Sequence, residues 1–168
     1  MKAEFGSGAR YEDLSQLPVE VAFLVGEIPA RVLLACAERA KALGTSPHRE
    51  LISSGALDAA AYARRLAAHV GGSFQISLHP DAAARRLMRA RNPREAAQLG
   101  VFLLCSERKG TAFAVNAESE KLGQVLLALR RHPFAGKRIV VVTDRVFNQG
   151  LARTSEAHLL SQACTGLA

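Results

Sequence analysis

A chain of 168 residues with 49% hydrophobic content has enough apolar surface for a packed core, and fits one domain or a small helical unit joined to a small α/β unit. Its 22 Lys and Arg against 15 Asp and Glu leave a formal charge of +7, which points to an anionic partner such as an acidic membrane surface or an acidic protein. Aromatic residues make up 5% and Trp is absent, so the stacking platform of single-strand nucleic-acid binders is poorly supplied and no specific nucleic-acid partner is expected.

Residues 1–17, with Gly6, Ser7 and Gly8, read as a flexible arm. Residues 18–72 form a helical unit, interrupted at "GEIP", "GTSP" and "SGALD", where Gly, Pro and a cap residue supply the stops. The longest segment, 29–43, places Val32, Leu33, Cys36, Ala37 and Ala40 on one face. The apolar run "LPVEVAFLVGEIPARVLLACA" is broken by Glu20, Glu27, Pro29 and Arg31, and falls short of the roughly 18 to 20 uncharged residues a membrane span needs. Next, "DAAAYARRLAAHVGG" reads as a complete short helix: Asp58 is suited to accept the free N–H groups of its first turn, and Gly71 to end it in the left-handed conformation. Ala59, Tyr62, Ala63, Leu66, Ala67 and Val70 recur on its apolar side, opposite Arg64, Arg65 and His69. So many small residues on that side predict close approach to a neighbour.

From residue 73 the pattern changes to strand-length apolar runs: "SFQISL" at 73–78, "VFLLCS" at 101–106, "TAFAVN" at 111–116 and "RIVVVT" at 138–143. "ERKG" between the second and third predicts a hairpin. Leu122, Val125, Leu126 and Leu129 mark an amphipathic helix ending around "RRHP", and a last helix is expected from near Asp144. Residues 73–168 are thus expected to form a small α+β unit, in which helix, strand, strand, helix, strand and helix follow one another from Pro93 and helices cover one face of the sheet. The predicted fold class is α+β.

Chemistry is sparse. Cys36, Cys105 and Cys164 are widely spaced without a C-x-x-C, which suits a reducing, cytoplasmic setting and indicates neither a disulfide framework nor a zinc site. Cys105 falls in a strand, as a small buried hydrophobe would. His48, His69, His79, His132 and His158 lie far apart and read as surface or cap histidines. Ser53 and Ser54 precede Gly55 without a G-x-S-x-G elbow and read as helix-end residues. "GSG" at 6–8 follows no strand and lacks the third glycine of a dinucleotide loop. No catalytic residue, metal ligand or cofactor is expected. The densest charge lies in "RRLMRARNPR" and "RRHPFAGKR"; Arg85, Arg86, Arg89, Arg91, Arg94, Arg130 and Arg131 are the candidate contacts for an anion or a partner.

One further pattern carries a resemblance. Leu51, Gly55, Leu57, Tyr62, Leu66, Ala67 and Gly71 match the "LxxxGxLxxxxLxxxLAxxxG" pattern of the N-terminal domain of type II secretion and type IV pilus ATPases, with Tyr62 in place of a Leu and "SF" where that family continues "LPF". The stretches "NPREAAQLGVFLLCSERKGTAFAVNAESEKLGQVLLALRRHP" and "RIVVVTDRVFNQGL" are similar to its continuation. The opening "LPVEVAFLVGEIPARVLLACAERAKALGTSPHRELISSG" and the closing "LLSQACTGLA" are most similar to the N-terminal region of alphaproteobacterial family 2 glycosyltransferases. This second resemblance implies a non-catalytic, cytoplasmic accessory domain, regulatory or docking, whose partner is the rest of a membrane-embedded polysaccharide synthase. The alternatives are a cyclic-di-GMP-sensing module or, as the first resemblance implies, the platform-docking N-terminal domain of a type II secretion ATPase. With no DxD, no Trp and no GxxxxGK[ST], the chain itself has neither the transferase's nor an ATPase's catalytic groups.

Some secretion-ATPase N-terminal domains bind cyclic di-GMP through an "RLGxxLxxxG…Q" motif. Aligned on Gly55, its Arg-Leu-Gly positions are occupied here by Ser46, Pro47 and His48, and its Gln position by His69. The resemblance therefore predicts weak or absent binding of cyclic di-GMP, with Arg49 and His69 the residues left to meet a phosphate or a guanine edge.

Overall fold

In the computed structural model, residues 16–85, 93–105, 110–131 and 138–165 are described, and the chain divides into two compact units between Ala56 and Leu57. The arm expected at 1–17 lies almost wholly outside the described residues.

The first unit is helical. α1 (Val19–Ala22) leads through a turn at Gly26, φ +97°, into α2 (Ala30–Leu43), which follows Pro29 and closes at Gly44 in the left-handed region, φ +68°. The N–H groups of Gly44 and Thr45 both reach the carbonyl of Ala40, satisfying the orphan acceptor of the last turn. α3 (Pro47–Ser53) starts with Pro in its first turn, where no N–H is missed. Thr45 Oγ1 donates to Glu50 Oε1 at 2.9 Å, holding that nearly buried carboxylate against the entry of the helix. Val21, Leu24, Leu33, Cys36, Ala40 and Leu51 are buried. His48 is fully buried as well, which corrects its reading as a surface histidine: at the second position of α3 it lies on the same side as Leu51, three residues on. Ser53 and Ser54 donate their hydroxyls to the carbonyls of Glu50 and Leu51, as helix-end residues do.

The second unit begins with α4 (Ala59–His69), so the boundary expected after residue 72 falls earlier. The cause is packing: α4 lies against two strands of the sheet, described below as β1 and β4, with Tyr62, Ala63, Leu66 and Ala67 buried. Asp58 Oδ1 accepts the Ala61 N–H at 2.8 Å and Gly71 sits at φ +67°, as expected for the two ends. Gly72 then passes so close to the sheet that a Cβ there would lie 2.6 Å from the Ile139 carbonyl oxygen.

The sheet contains β1 (Ser73–Phe74), β2 (Val101–Cys105), β3 (Ala112–Asn116) and β4 (Arg138–Val142) in the order β1-β4-β3-β2. β4 runs parallel to both β1 and β3, whereas β2 pairs antiparallel with β3, as the hairpin reading requires. β1 is shorter than the run 73–78 suggests. After Gln75 donates to the Val141 carbonyl the chain leaves the sheet, exposing Ile76, and Leu78 turns into the core. The remaining helices are α5 (Pro93–Leu99), α6 (Leu122–Arg131) and α7 (Asp144–Thr165).

On one face of the sheet Phe102, Leu104, Ala112, Ala114, Val140 and Val142 form a core with Leu78, Ala96 of α5 and Phe147 of α7. Val115 and Val141, of opposite parity along their strands, are buried too, and α4 packs against β4. Helices therefore cover both faces rather than the single face expected. Parallel pairing explains this, because each parallel connection needs a crossover long enough to lay helix on the sheet. The fold class is α+β, with one mixed sheet. At the end of β3, Asn116 donates to Asp144 Oδ1 at 2.8 Å and accepts from the Glu118 N–H at 2.9 Å, while Glu118 Oε1 accepts the Asp144 N–H at 2.9 Å. This clasp ties the strand end to the start of α7.

Candidate functional site

The end of α4 and the last turns of α6 meet around an open cleft of about 260 Å³, lined by His69, Val70, Leu126, Leu129 and Arg130. The helical repeat of α6 places it there. Leu122 and Leu126 are buried, so Leu129 falls on the margin of the apolar side and Arg130 emerges into solvent beside it. α4 ends just where its apolar side runs out, leaving His69 exposed next to the half-buried Val70.

Arg130 is the charged residue among those that line the cleft, and the described elements that line it or pack against α4 carry charges of one sign. α4 carries Arg64 and Arg65, α6 carries Arg130 and Arg131, β4 begins with Arg138 and β1 has no charged residue; none of these elements contains a carboxylate. Arg64 is engaged, its guanidinium 5.4 Å from the centroid of the Phe74 ring, and Arg65 Nη1 donates to the Ala61 carbonyl at 3.4 Å. Partial burial, and then the nearby Arg130 guanidinium, pull the His69 pKa below its ordinary 6.5. At neutral pH the imidazole is therefore neutral, with one nitrogen to donate and one to accept. Arg130 keeps its charge throughout.

In the helical unit a larger cleft of about 550 Å³ lies along α2, lined in part by Leu17, Pro18, Leu34 and Ala37. Glu38 and Lys41 on its walls balance each other in charge, so nothing there selects a ligand of one sign.

The arginines singled out from the sequence are dispersed. Arg130 and Arg131 stand exposed at the end of α6, Arg94 is exposed on α5, and Arg85 is exposed with Nη1 donating to the Pro80 carbonyl at 3.1 Å. Arg86, Arg89 and Arg91 lie outside the described residues. Arg49 is exposed on α3 in the helical unit, whereas His69 belongs to the other unit. The three positions aligned with the cyclic di-GMP motif lie at the start of α3: Ser46 is the nearly buried residue before it, Pro47 its first residue, and His48 is fully buried. Sequence reasoning named His69 and Arg130 separately but missed that they share a cleft, along with its apolar lining, Val70, Leu126 and Leu129. Among the described residues no group of three His, Cys, Asp or Glu stands close enough to hold a metal ion, and no helix is long and apolar enough to cross a membrane.

No protein-family model and no curated protein matches the chain. Among solved structures the chain is similar to that of MshE with cdg, at 20% sequence identity and a TM-score of 0.60, over 80% of this chain and 97% of that one. The two share a fold, which is the one implied by the "LxxxGxLxxxxLxxxLAxxxG" pattern of secretion-ATPase N-terminal domains.

Proposed function

We propose that this chain is a non-catalytic accessory domain, regulatory or docking, of a membrane-embedded family 2 glycosyltransferase that makes a polysaccharide. The observation that carries the accessory role is the shared fold with MshE across four-fifths of the chain. The transferase context rests on the opening and closing segments of the sequence, and the arginine-only surroundings of the His69 cleft suit contact with an acidic leaflet or an acidic partner domain. The domain acts by position, beside the catalytic machinery of the parent polypeptide on the cytoplasmic side of the membrane.

Membranes containing the full-length parent, with and without this domain, test the proposal through polymer formed from a nucleotide sugar. Deletion is expected to change the rate or its control while leaving the parent inserted, and the isolated chain is expected to turn over neither a nucleotide sugar nor ATP. Metal-dependent turnover by the pure chain, lost on replacing one of its own carboxylates, overturns the accessory reading; a nucleoside-triphosphatase motif in the parent replaces the transferase with a secretion ATPase.

A second reading, sensing of cyclic di-GMP, is favoured by the cdg in the MshE structure. The inward placement of His48 and the presence of Ser46 and Pro47 at the motif positions count against it. Calorimetry separates the two readings: a micromolar or tighter constant, about −8 kcal/mol or better, establishes the sensor, and weaker or absent binding is expected.

A further inference from the structure

We infer that the cleft between His69 and Arg130 binds a phosphate-bearing group of headgroup size. The inference stands on the cleft itself and does not depend on the identity of the parent enzyme.

Size narrows the occupant first. Ligand pockets run from about 300 to 1,000 Å³, and this cleft, at about 260 Å³, falls just below that range, so it accommodates a phosphate with a small substituent rather than a dinucleotide. Charge narrows it further. The charged groups of α4 and α6, which line the cleft, are Arg64, Arg65, Arg130 and Arg131, and β4, against which α4 packs, adds Arg138, so no carboxylate of these elements repels an anion. Arg130 is exposed, and its guanidinium acts on His69 as a positive charge. A planar guanidinium offers two parallel N–H donors that match two phosphate oxygens. Val70, Leu126 and Leu129 supply an apolar wall for the carbon attached to the ester oxygen.

One effect opposes binding. α4 and α6 both end at the cleft, and each helix C-terminus carries about half a negative charge. Arg130 and Arg131 each carry a whole positive charge, so the sum still favours an anion. Protonation of His69 adds to it. A bound phosphate offsets the repulsion that Arg130 exerts on the imidazolium and so raises the His69 pKa, favouring the protonated imidazole in the bound state.

The shared chemistry is a phosphate ester, whether of a soluble metabolite or of a lipid headgroup. NMR of the full chain, following the His69 imidazole resonance while inorganic phosphate is added against sodium chloride of matched ionic strength, is the direct test. Phosphate is expected to move that resonance saturably and raise its titration midpoint, and Arg130→Gln, at an exposed position, is expected to weaken the effect about tenfold or more. The control Arg39→Gln, exposed on α2, should leave it unchanged. Sedimentation with phosphatidylcholine vesicles, with and without phosphatidic acid, separates the two sources. Retention on phosphatidic acid that is lost in both Arg130→Gln and His69→Gln assigns the site to a lipid headgroup; a phosphate response without such retention assigns it to a soluble ester. A His69 resonance indifferent to phosphate, or a response of equal strength in Arg130→Gln, overturns the inference.

Discussion

The two faces of the sheet are built from different materials. On the α5–α7 face, Phe102 and Phe147 meet edge to face with ring centroids 5.0 Å apart, surrounded by Leu78, Leu104, Val140 and Val142, and the Asn116–Asp144 clasp closes its edge. On the α4 side the helix presents Ala63 and Ala67 around Tyr62 and Leu66, and its end opens into the cleft lined by Arg130. Large side chains fill one face, while small ones bring a helix close on the other. The closed face is therefore expected to carry the larger share of the stability.

The largest expected effect tests that division. Phe147→Ala removes a fully buried ring and its aromatic partner's edge contact, which costs about 3 to 5 kcal/mol, a large share of a stability near 5 to 15 kcal/mol. Leu129→Ala, half-buried on the cleft wall, is expected to cost about 1 kcal/mol or less. Urea unfolding of both variants measures the contrast. Equal costs would break the comparison by showing that the cleft face carries as much of the fold as the aromatic one.

A smaller effect sharpens the account of how α4 joins the sheet. At Gly72 a methyl group would stand 2.6 Å from the Ile139 carbonyl oxygen and 3.1 Å from the Ile139 Cβ, so either the backbone of β1 or that of β4 must shift. Gly72→Ala is expected to cost about 1 to 3 kcal/mol. Hydrogen exchange at Gln75, whose N–H bonds to the Val141 carbonyl, should rise more than exchange within β2 and β3. A variant as stable as the parent, with unchanged exchange at Gln75, would show that the close approach is not a constraint.

What was legible in the sequence is what local physics decides. Asp58 and Gly71 mark the ends of α4 because capping and left-handed termination depend on a few neighbouring residues, and the apolar runs of β3 and β4 mark strands because each is buried along most of its length, as does that of β2, where Phe102 and Leu104 alternate into the core. The early end of β1 was not legible. "SFQISL" has the alternation of a strand, but Leu78 finds its burial beside Phe102 and Phe147 rather than on β4, a choice made by partners distant in the chain. The unit boundary at Ala56 and the cover on the second face depend in the same way on where α4 docks. His69 and Arg130 carried separate signals, of a cap histidine and of a charge run; only the packing of α4 and α6 turns them into one site.

The smallest effect is a pH dependence that reports on the cleft alone. Burial and Arg130 hold the His69 pKa in the folded chain below the 6.5 of the unfolded one. Above that value both states carry a neutral imidazole and the contribution to stability is fully present. As pH falls through 6.5 the unfolded chain takes up its proton first, so stability declines, and the loss is complete once pH has passed below the folded pKa. His69 is exposed, which screens the effect and keeps it small, so the informative quantity is the difference between the parent and His69→Gln in urea midpoints measured across this window. The parent is expected to lose slightly more stability on acidification than His69→Gln, and Arg130→Gln should reduce that difference because it removes the repulsion while leaving the burial. Phosphate should reverse the trend in the parent, since a bound anion favours the imidazolium in the folded state and adds stability as the proton is taken up. Identical pH profiles for the parent and His69→Gln, with phosphate and without, would place His69 in ordinary solvent and leave the two faces of the sheet differing in packing alone.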